Sequence, residues 1–144
     1  MDVNKIFGLF GDKNPNTQSK ETQDIKKVLD YKNHPLFWVG MFRKLIMNHN
    51  NFKDKVIGFF SSLDEGLDIK DVKNAGEYIL YDRSWMWIKN IDLKDEIHKE
   101  SLVHYTKDNN LILCIKSSIS HFQDLEEYER CAHLKSIQDF LESL

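Results

Sequence analysis

The chain has few of the residues that interrupt helices. Its 144 residues include only two prolines and six glycines. Proline ends or kinks a helix and glycine weakens it, so their scarcity favours long helices. It also argues against a sandwich of short strands joined by tight turns.

Cysteine and long apolar runs are scarce as well. The two cysteines, Cys114 and Cys131, stand apart and form no C-x-x-C pair, which favours a reduced, cytoplasmic chain. The N-terminus lacks a basic segment followed by an apolar core, so we expect no signal peptide. Because no run of about twenty apolar residues occurs, we expect no membrane-spanning helix and no membrane partner.

The chain also lacks a strong excess of charge of one sign. Its formal net charge is −3 at pH 7, with acidic and basic residues interspersed. This balance provides no general attraction to nucleic acid or to an anionic membrane. Basic residues between Arg43 and Lys73, with Trp38 or Tyr31 nearby for stacking, keep a nucleic-acid-binding factor open as an alternative.

What the chain does have is ample apolar sequence for one domain. Hydrophobic residues make up 41% of it, which at this length suffices for a core without disulfides or metal. We divide the chain into an N-terminal arm, residues 1–17, flexible or docked, and a helical domain, residues 18–144. Glycine, proline and asparagine interrupt any period in the arm.

Residues 69–90 form the most apolar predicted helix. Val72, Ile79 and Met86 lie seven residues apart and form one stripe. An adjoining stripe contains Tyr78, Tyr81, Trp85 and Ile88. A helix that is apolar on nearly every face is normally enclosed by others. We therefore predict an all-α, single-domain bundle of about seven helices in antiparallel hairpins around this central buried helix.

Caps and breaks place the other helices. We expect a helix at about 19–31, a second beginning near Pro35, a polar break at 48–51, and a third over 51–63 that ends at Gly66. The third should bury four side chains: Phe52, Val56, Phe59 and Phe60.

Two interpretations of the C-terminal part remain open. Residues 102–117 form either a β-hairpin or two helices, and the spacing of Leu111, Ile115 and Phe122 favours helices. Asp92 is expected to cap the helix before this region. Asp124, followed three residues later by Glu127, predicts a capping box at the start of the last helix.

Aromatic side chains, at 12% of the chain, suggest a surface that binds another protein. Trp, Tyr, Phe and Met are enriched at such interfaces. The predicted partner-binding residues are Phe7, Phe10, Phe37, Trp38, Phe140 and Leu141. The competing interpretation places the same side chains in the core.

Asp82 and Arg83 interrupt the apolar helix and are candidate polar anchors. In one interpretation Arg83 binds a carboxylate or phosphate in an aromatic pocket. In the favoured one, Asp82 is solvated and Arg83 either extends to the surface or pairs with an acid on another helix.

We expect no metal and no cofactor. The chain contains no G-x-S-x-G motif and no phosphate-binding glycine loop. Acid–histidine spacings of three and four residues place paired ligands on one helix face. If a metal binds, the candidates are His98, Glu100, His104 and His133; otherwise these histidines lie at helix margins.

These observations favour a small, non-catalytic accessory or adaptor protein that binds another protein, encoded by a virus or a mobile element. The alternatives are a metal-dependent or small-molecule enzyme with a site in the helical core, and the nucleic-acid-binding factor. The sequence identifies neither the partner nor the oligomeric state.

Overall fold

The computed structural model describes residues 30–63 and 68–144 and divides the chain into two units, residues 1–34 and 35–144. In the first unit, residues 30–32 are the end of a helix, and a turn follows in which the Asn33 N–H donates to the Asp30 carbonyl at 3.2 Å. The predicted N-terminal arm, its boundary at residue 17, most of the helix at 19–31 and Gly66 lie outside the described residues.

The second unit contains five helices. They are α1 (Pro35–Leu63), α2 (Ile69–Ile88), α3 (Glu96–His104), α4 (Asn110–Asp124) and α5 (Tyr128–Glu142). The described residues contain no strand, which confirms the all-α prediction, and residues 102–117 belong to helices and the turn between them. None of the described helices combines the length and apolarity needed to cross a bilayer.

The predicted break at 48–51 is wrong, because these residues lie inside α1. Two predicted helices are therefore one helix of 29 residues, and the described residues contain six helices instead of about seven. Asparagine costs less than about 0.7 kcal/mol per residue in a helix. Apolar packing on the N-terminal side of the asparagines outweighs this small penalty.

The helix at the centre of this unit is α1. It contacts α2, α3 and α4, and its Val39, Phe42 and Ile46 side chains are fully buried. The spacing predicted for α4 is confirmed by three buried residues: Leu111, Ile115 and Phe122. The core is completed from α5 by Leu134, Ile137 and Leu141.

The helix predicted at 69–90 forms as α2, but it is not enclosed on all sides. Among its described side chains only Tyr81, Ser84 and Ile88 are buried, and all three lie in its C-terminal half. Ile79 and Met86 are more than half exposed, so these two members of the stripe at intervals of seven face outward, whereas Val72 is half-buried. The central position expected for α2 therefore belongs to α1, since α1 is the helix that three others pack against.

The structure confirms the predicted start of α1 and corrects the predicted cap of α3. Pro35 begins α1 as predicted, and the Asp68 carboxylate caps α2 by accepting a hydrogen bond from the Lys70 N–H at 3.0 Å. The cap of α3 is Asp95 instead of Asp92, and it accepts from the Ile97 N–H at 2.9 Å.

The predicted capping box at Asp124 is also wrong. Asp124 is the last residue of α4, and α5 begins only at Tyr128. Between them Glu126 adopts φ 59°, a left-handed conformation that commonly ends helices. The acidic run is therefore a connection between two helices.

Candidate functional site

A groove of about 160 Å³ lies between α1 and α2 where the two helices run antiparallel. Its lining residues are His49, Phe52, Lys53, Ile57, Val72, Lys73 and Gly76. The positions contributed by each helix are one, three or four residues apart, so they share one helix face. We call residues 52–63 of α1 and 68–80 of α2 the tip, and the rest of the second unit the base; His49 closes the groove at its base end.

Large apolar side chains are exposed on both helices of the tip. Phe52 is 56% exposed, and Tyr78 and Ile79 on α2 are exposed to a similar degree. The prediction of a buried face is therefore wrong for Phe52 and Phe59, while the side chains of Val56 and Phe60 lie outside the described set. Contiguous exposed apolar surface typically marks an interaction site.

Gly76 keeps the groove open. A methyl group added at Gly76 would meet no other atom within 4 Å, and the same is true of Gly58 on α1. A glycine inside a helix costs about 1 kcal/mol relative to alanine, and close packing does not explain either glycine. In the base the opposite holds, since a methyl group added at Gly40 would collide with the Tyr105 hydroxyl.

The charged residues that line the groove are basic. Lys53 and Lys73 lie on opposite walls, and none of the described residues that line the groove is acidic. The Lys55 ammonium lies 5.6 Å from the centroid of the Phe52 ring. The Nε2 atom of His49 is buried and has no hydrogen-bond partner among the described residues. The groove thus combines apolar walls with a positive rim.

No protein-family model, curated protein or solved structure matches the chain. The geometry and chemistry of the described residues therefore carry the functional argument.

Two of the predicted partner-binding residues are packed against rings of the base. Phe37 meets Trp87 edge to face with ring centroids 5.4 Å apart, and Trp38 meets His98 at 5.5 Å. Both Phe37 and Trp38 are half-buried. Such edge contacts stabilise the fold and leave only part of each ring for a partner.

Of the other four predicted partner-binding residues, two belong to or pack against the core and two lie outside the described residues. Leu141 is only 5% exposed, so its prediction as a surface anchor is corrected: it belongs to the core. Phe140 is half-buried against that core. Phe7 and Phe10 lie outside the described residues.

The expectation for Asp82 is wrong, whereas the exposed position of Arg83 agrees with one of the two alternatives of the favoured interpretation. Asp82 is paired, since its carboxylate lies 3.0 Å from the Arg130 guanidinium on α5. Arg83 is exposed, and the described residues form no ion pair or aromatic pocket around it. The acid on α2 is therefore the residue that pairs with another helix.

Arg130 is a residue that the sequence interpretation missed. Besides Asp82, it pairs with Glu127 at 2.7 Å. Its guanidinium carbon lies 5.3 Å from the centroid of the Trp85 ring and 5.2 Å from that of Phe122. These contacts join α2, α4 and α5, so we assign Arg130 a structural role in the base. In the sequence Arg130 is one of several charged residues on the outer side of the last helix, and nothing distinguishes it from the others.

The four candidate metal ligands do not come together. The His98 Nδ1 atom accepts a hydrogen bond from the Asp92 N–H at 2.8 Å. The His133 Nε2 atom lies 3.0 Å from the Ile88 carbonyl, to which it donates, and so satisfies the C-terminal end of α2. The other two candidates are exposed: Glu100 and His104. Within residues 30–63 and 68–144, no three His, Cys, Asp or Glu side chains form a group that could hold a metal ion.

Both cysteines have environments that disfavour the thiolate. Burial raises the pKa of Cys114 to about 11, and burial also raises the pKa of Cys131. Since the thiolate is the reactive form, neither environment suits a nucleophile.

Of the basic residues that favoured nucleic acid, Arg43 is engaged within the fold. Its guanidinium lies 2.9 Å from the Asp108 carboxylate. The Asn110 backbone N–H and, to a smaller degree, Arg43 hold the pKa of Asp108 below its usual range. Lys53 and Lys73 border the apolar groove.

Proposed function

We propose that this protein acts by binding another protein and that the groove of the tip receives side chains of that partner. The observation that carries the proposal is an apolar groove lined by Phe52, Ile57 and Val72, in which the Phe52 ring is more than half exposed. Burying such side chains in a complex gains about 25 cal/mol per Å² of apolar surface. The accessory role, the cytoplasmic location and the viral or mobile-element origin belong to this proposal and rest on the sequence.

The test fills the groove without disturbing the helix. Gly76→Leu adds a side chain to the groove, and Gly58→Leu is the matched control because Gly58 is also an open helical glycine but does not line it. Both variants gain helix propensity, so both should fold.

Tagged full-length protein and both variants are used to isolate partners from native lysate, and mass spectrometry identifies them. A purified partner should then bind Gly76→Leu at least about tenfold more weakly than Gly58→Leu in calorimetry, a loss of about 1.4 kcal/mol. Equal affinity for the two variants would exclude the groove as the binding site.

A further inference from the structure

The groove is shaped to receive a helix. It lies between two antiparallel helices, and a third helix packs naturally into such a groove to complete a three-helix bundle. Its lining runs from His49 to Ile57 on α1, which is about 12 Å of helix. About two turns of an occupant fit this length, so its apolar contacts would recur at spacings of three and four residues.

The charges around the groove restrict the occupant further. Lys53 and Lys73 face it from both walls, and the acids nearest in sequence, Asp54 and Asp71, do not line it. A basic occupant would place like charges together, whereas an acidic one would pair with both lysines. The protein as a whole carries a net charge of −3, so the positive rim is a local property of the groove.

Building on the proposed function, we infer that the partner segment is an amphipathic helix whose apolar face is flanked by acidic residues. The apolar face covers Phe52 and the groove between α1 and α2. The acidic flanks lie against Lys53 and Lys73.

Two synthetic peptides test this inference. Each is about 16 residues long, with leucines at helical spacings of three and four, and they differ only in carrying Glu or Lys beside the leucines. Fluorescence anisotropy measures their binding to the full-length protein. The Glu peptide should bind at least about tenfold more tightly than the Lys peptide, and added salt should reduce the difference.

Variants of the protein locate the binding. Gly76→Leu should weaken binding of the Glu peptide at least about tenfold, whereas Gly58→Leu should leave it unchanged. The double substitution Lys53→Glu, Lys73→Glu should reverse the preference between the two peptides. Retention of the preference in this double variant would overturn the role of the two lysines.

The outcomes separate this inference from the proposed function. If the Lys peptide binds as well as the Glu peptide and both are lost in Gly76→Leu, the acidic occupant is wrong but partner binding stands. The same holds if neither peptide binds while lysate partners are still lost in Gly76→Leu. If Gly76→Leu lowers the melting temperature of the free protein below that of Gly58→Leu, the chain itself supplies the occupant and the inference fails.

Discussion

Phe42 and Phe52 lie ten residues apart on the same helix, yet Phe42 is fully buried and Phe52 is mostly exposed. The half of α1 in the base packs against α3 and α4 as well as α2. The contacts described for the half in the tip are with α2. A phenylalanine therefore packs in the core in the base half of α1, whereas in the tip half a phenylalanine remains accessible to a partner.

The same division runs along α2. Tyr81 is 8% exposed, whereas Tyr78, one turn earlier, is 55% exposed. Ile88 is fully buried and Ile79 is more than half exposed. Both helices therefore carry exposed apolar side chains in the tip and buried ones in the base.

Replacing the two phenylalanines gives the largest expected contrast. Phe42→Ala should lower the free energy of unfolding by about 3–5 kcal/mol because it removes a fully buried ring. Phe52→Ala should cost less than about 1 kcal/mol, since much of that ring is already in water. Chemical denaturation of the full chain measures both, and similar losses would show that the tip is as enclosed as the base.

Arg130 tests how strongly contacts that join three helices stabilise the base. Arg130→Met should cost about 1–2 kcal/mol, because it removes two cation–π contacts and two ion pairs that partial exposure weakens. Lys73→Met in the tip should change stability by less than about 0.5 kcal/mol. A double-mutant cycle with Asp82→Asn measures the coupling free energy between Arg130 and Asp82. A coupling energy of zero would show that this ion pair does not contribute to stability.

The helical glycines should respond with opposite signs. Gly40→Ala should lower the free energy of unfolding by about 1 kcal/mol, because the new methyl group would displace the Tyr105 ring. This displacement would weaken the hydrogen bond that the Tyr105 hydroxyl donates to the Leu36 carbonyl at 3.3 Å. Gly76→Ala should gain about 0.4–1 kcal/mol, since the new methyl group meets nothing and the helix propensity rises. Thermal denaturation measures the stability of both variants. If Gly76→Ala is less stable than the unchanged protein, the space beside Gly76 is occupied by other side chains.

His121 gives the smallest expected effect and lies where the two regions meet. Its imidazole stacks on the Tyr81 ring with centroids 4.3 Å apart. Burial lowers the pKa of His121, although the nearby acids Glu77, Asp124 and Glu127 partly oppose this shift. Because the unfolded chain then binds the proton more readily, this group should destabilise the fold as the pH falls below about 6.5.

The measurement is the difference in melting temperature between about pH 7.5 and pH 5.5. His121→Phe keeps a ring on Tyr81 but cannot titrate, so its melting temperature should fall less than that of the unchanged protein. His104→Gln, at an exposed position, serves as the control for general pH effects. Identical pH dependence of the unchanged protein and His121→Phe would show that His121 does not contribute to the loss of stability at low pH.

Local features predicted much of the fold. Pro35 marks the start of α1, and the spacing of Leu111, Ile115 and Phe122 identifies the buried face of α4. The errors arose where distant packing outweighed a local signal. The asparagines at 48–51 resemble a break, but α1 continues through them because both sides are helical and the base side is packed.

The candidate site was harder to predict for the same reason. Helical spacing placed Phe52 and Phe59 on one apolar face, but spacing does not tell whether another helix covers that face. Gly76, an unexplained glycine within a helix, was the available signal. The sequence does not show that Gly76 lines a groove, because the opposite side of that groove is formed by α1, which is distant in the chain.

The sequence by itself therefore determined that this protein is helical and where several of its helices begin, because caps, proline and residue spacing act within a few residues. Only the tertiary structure decided which apolar faces are covered. Burial depends on the approach of segments far apart in the chain, so α1 became the centre of the base while the tip kept an open groove.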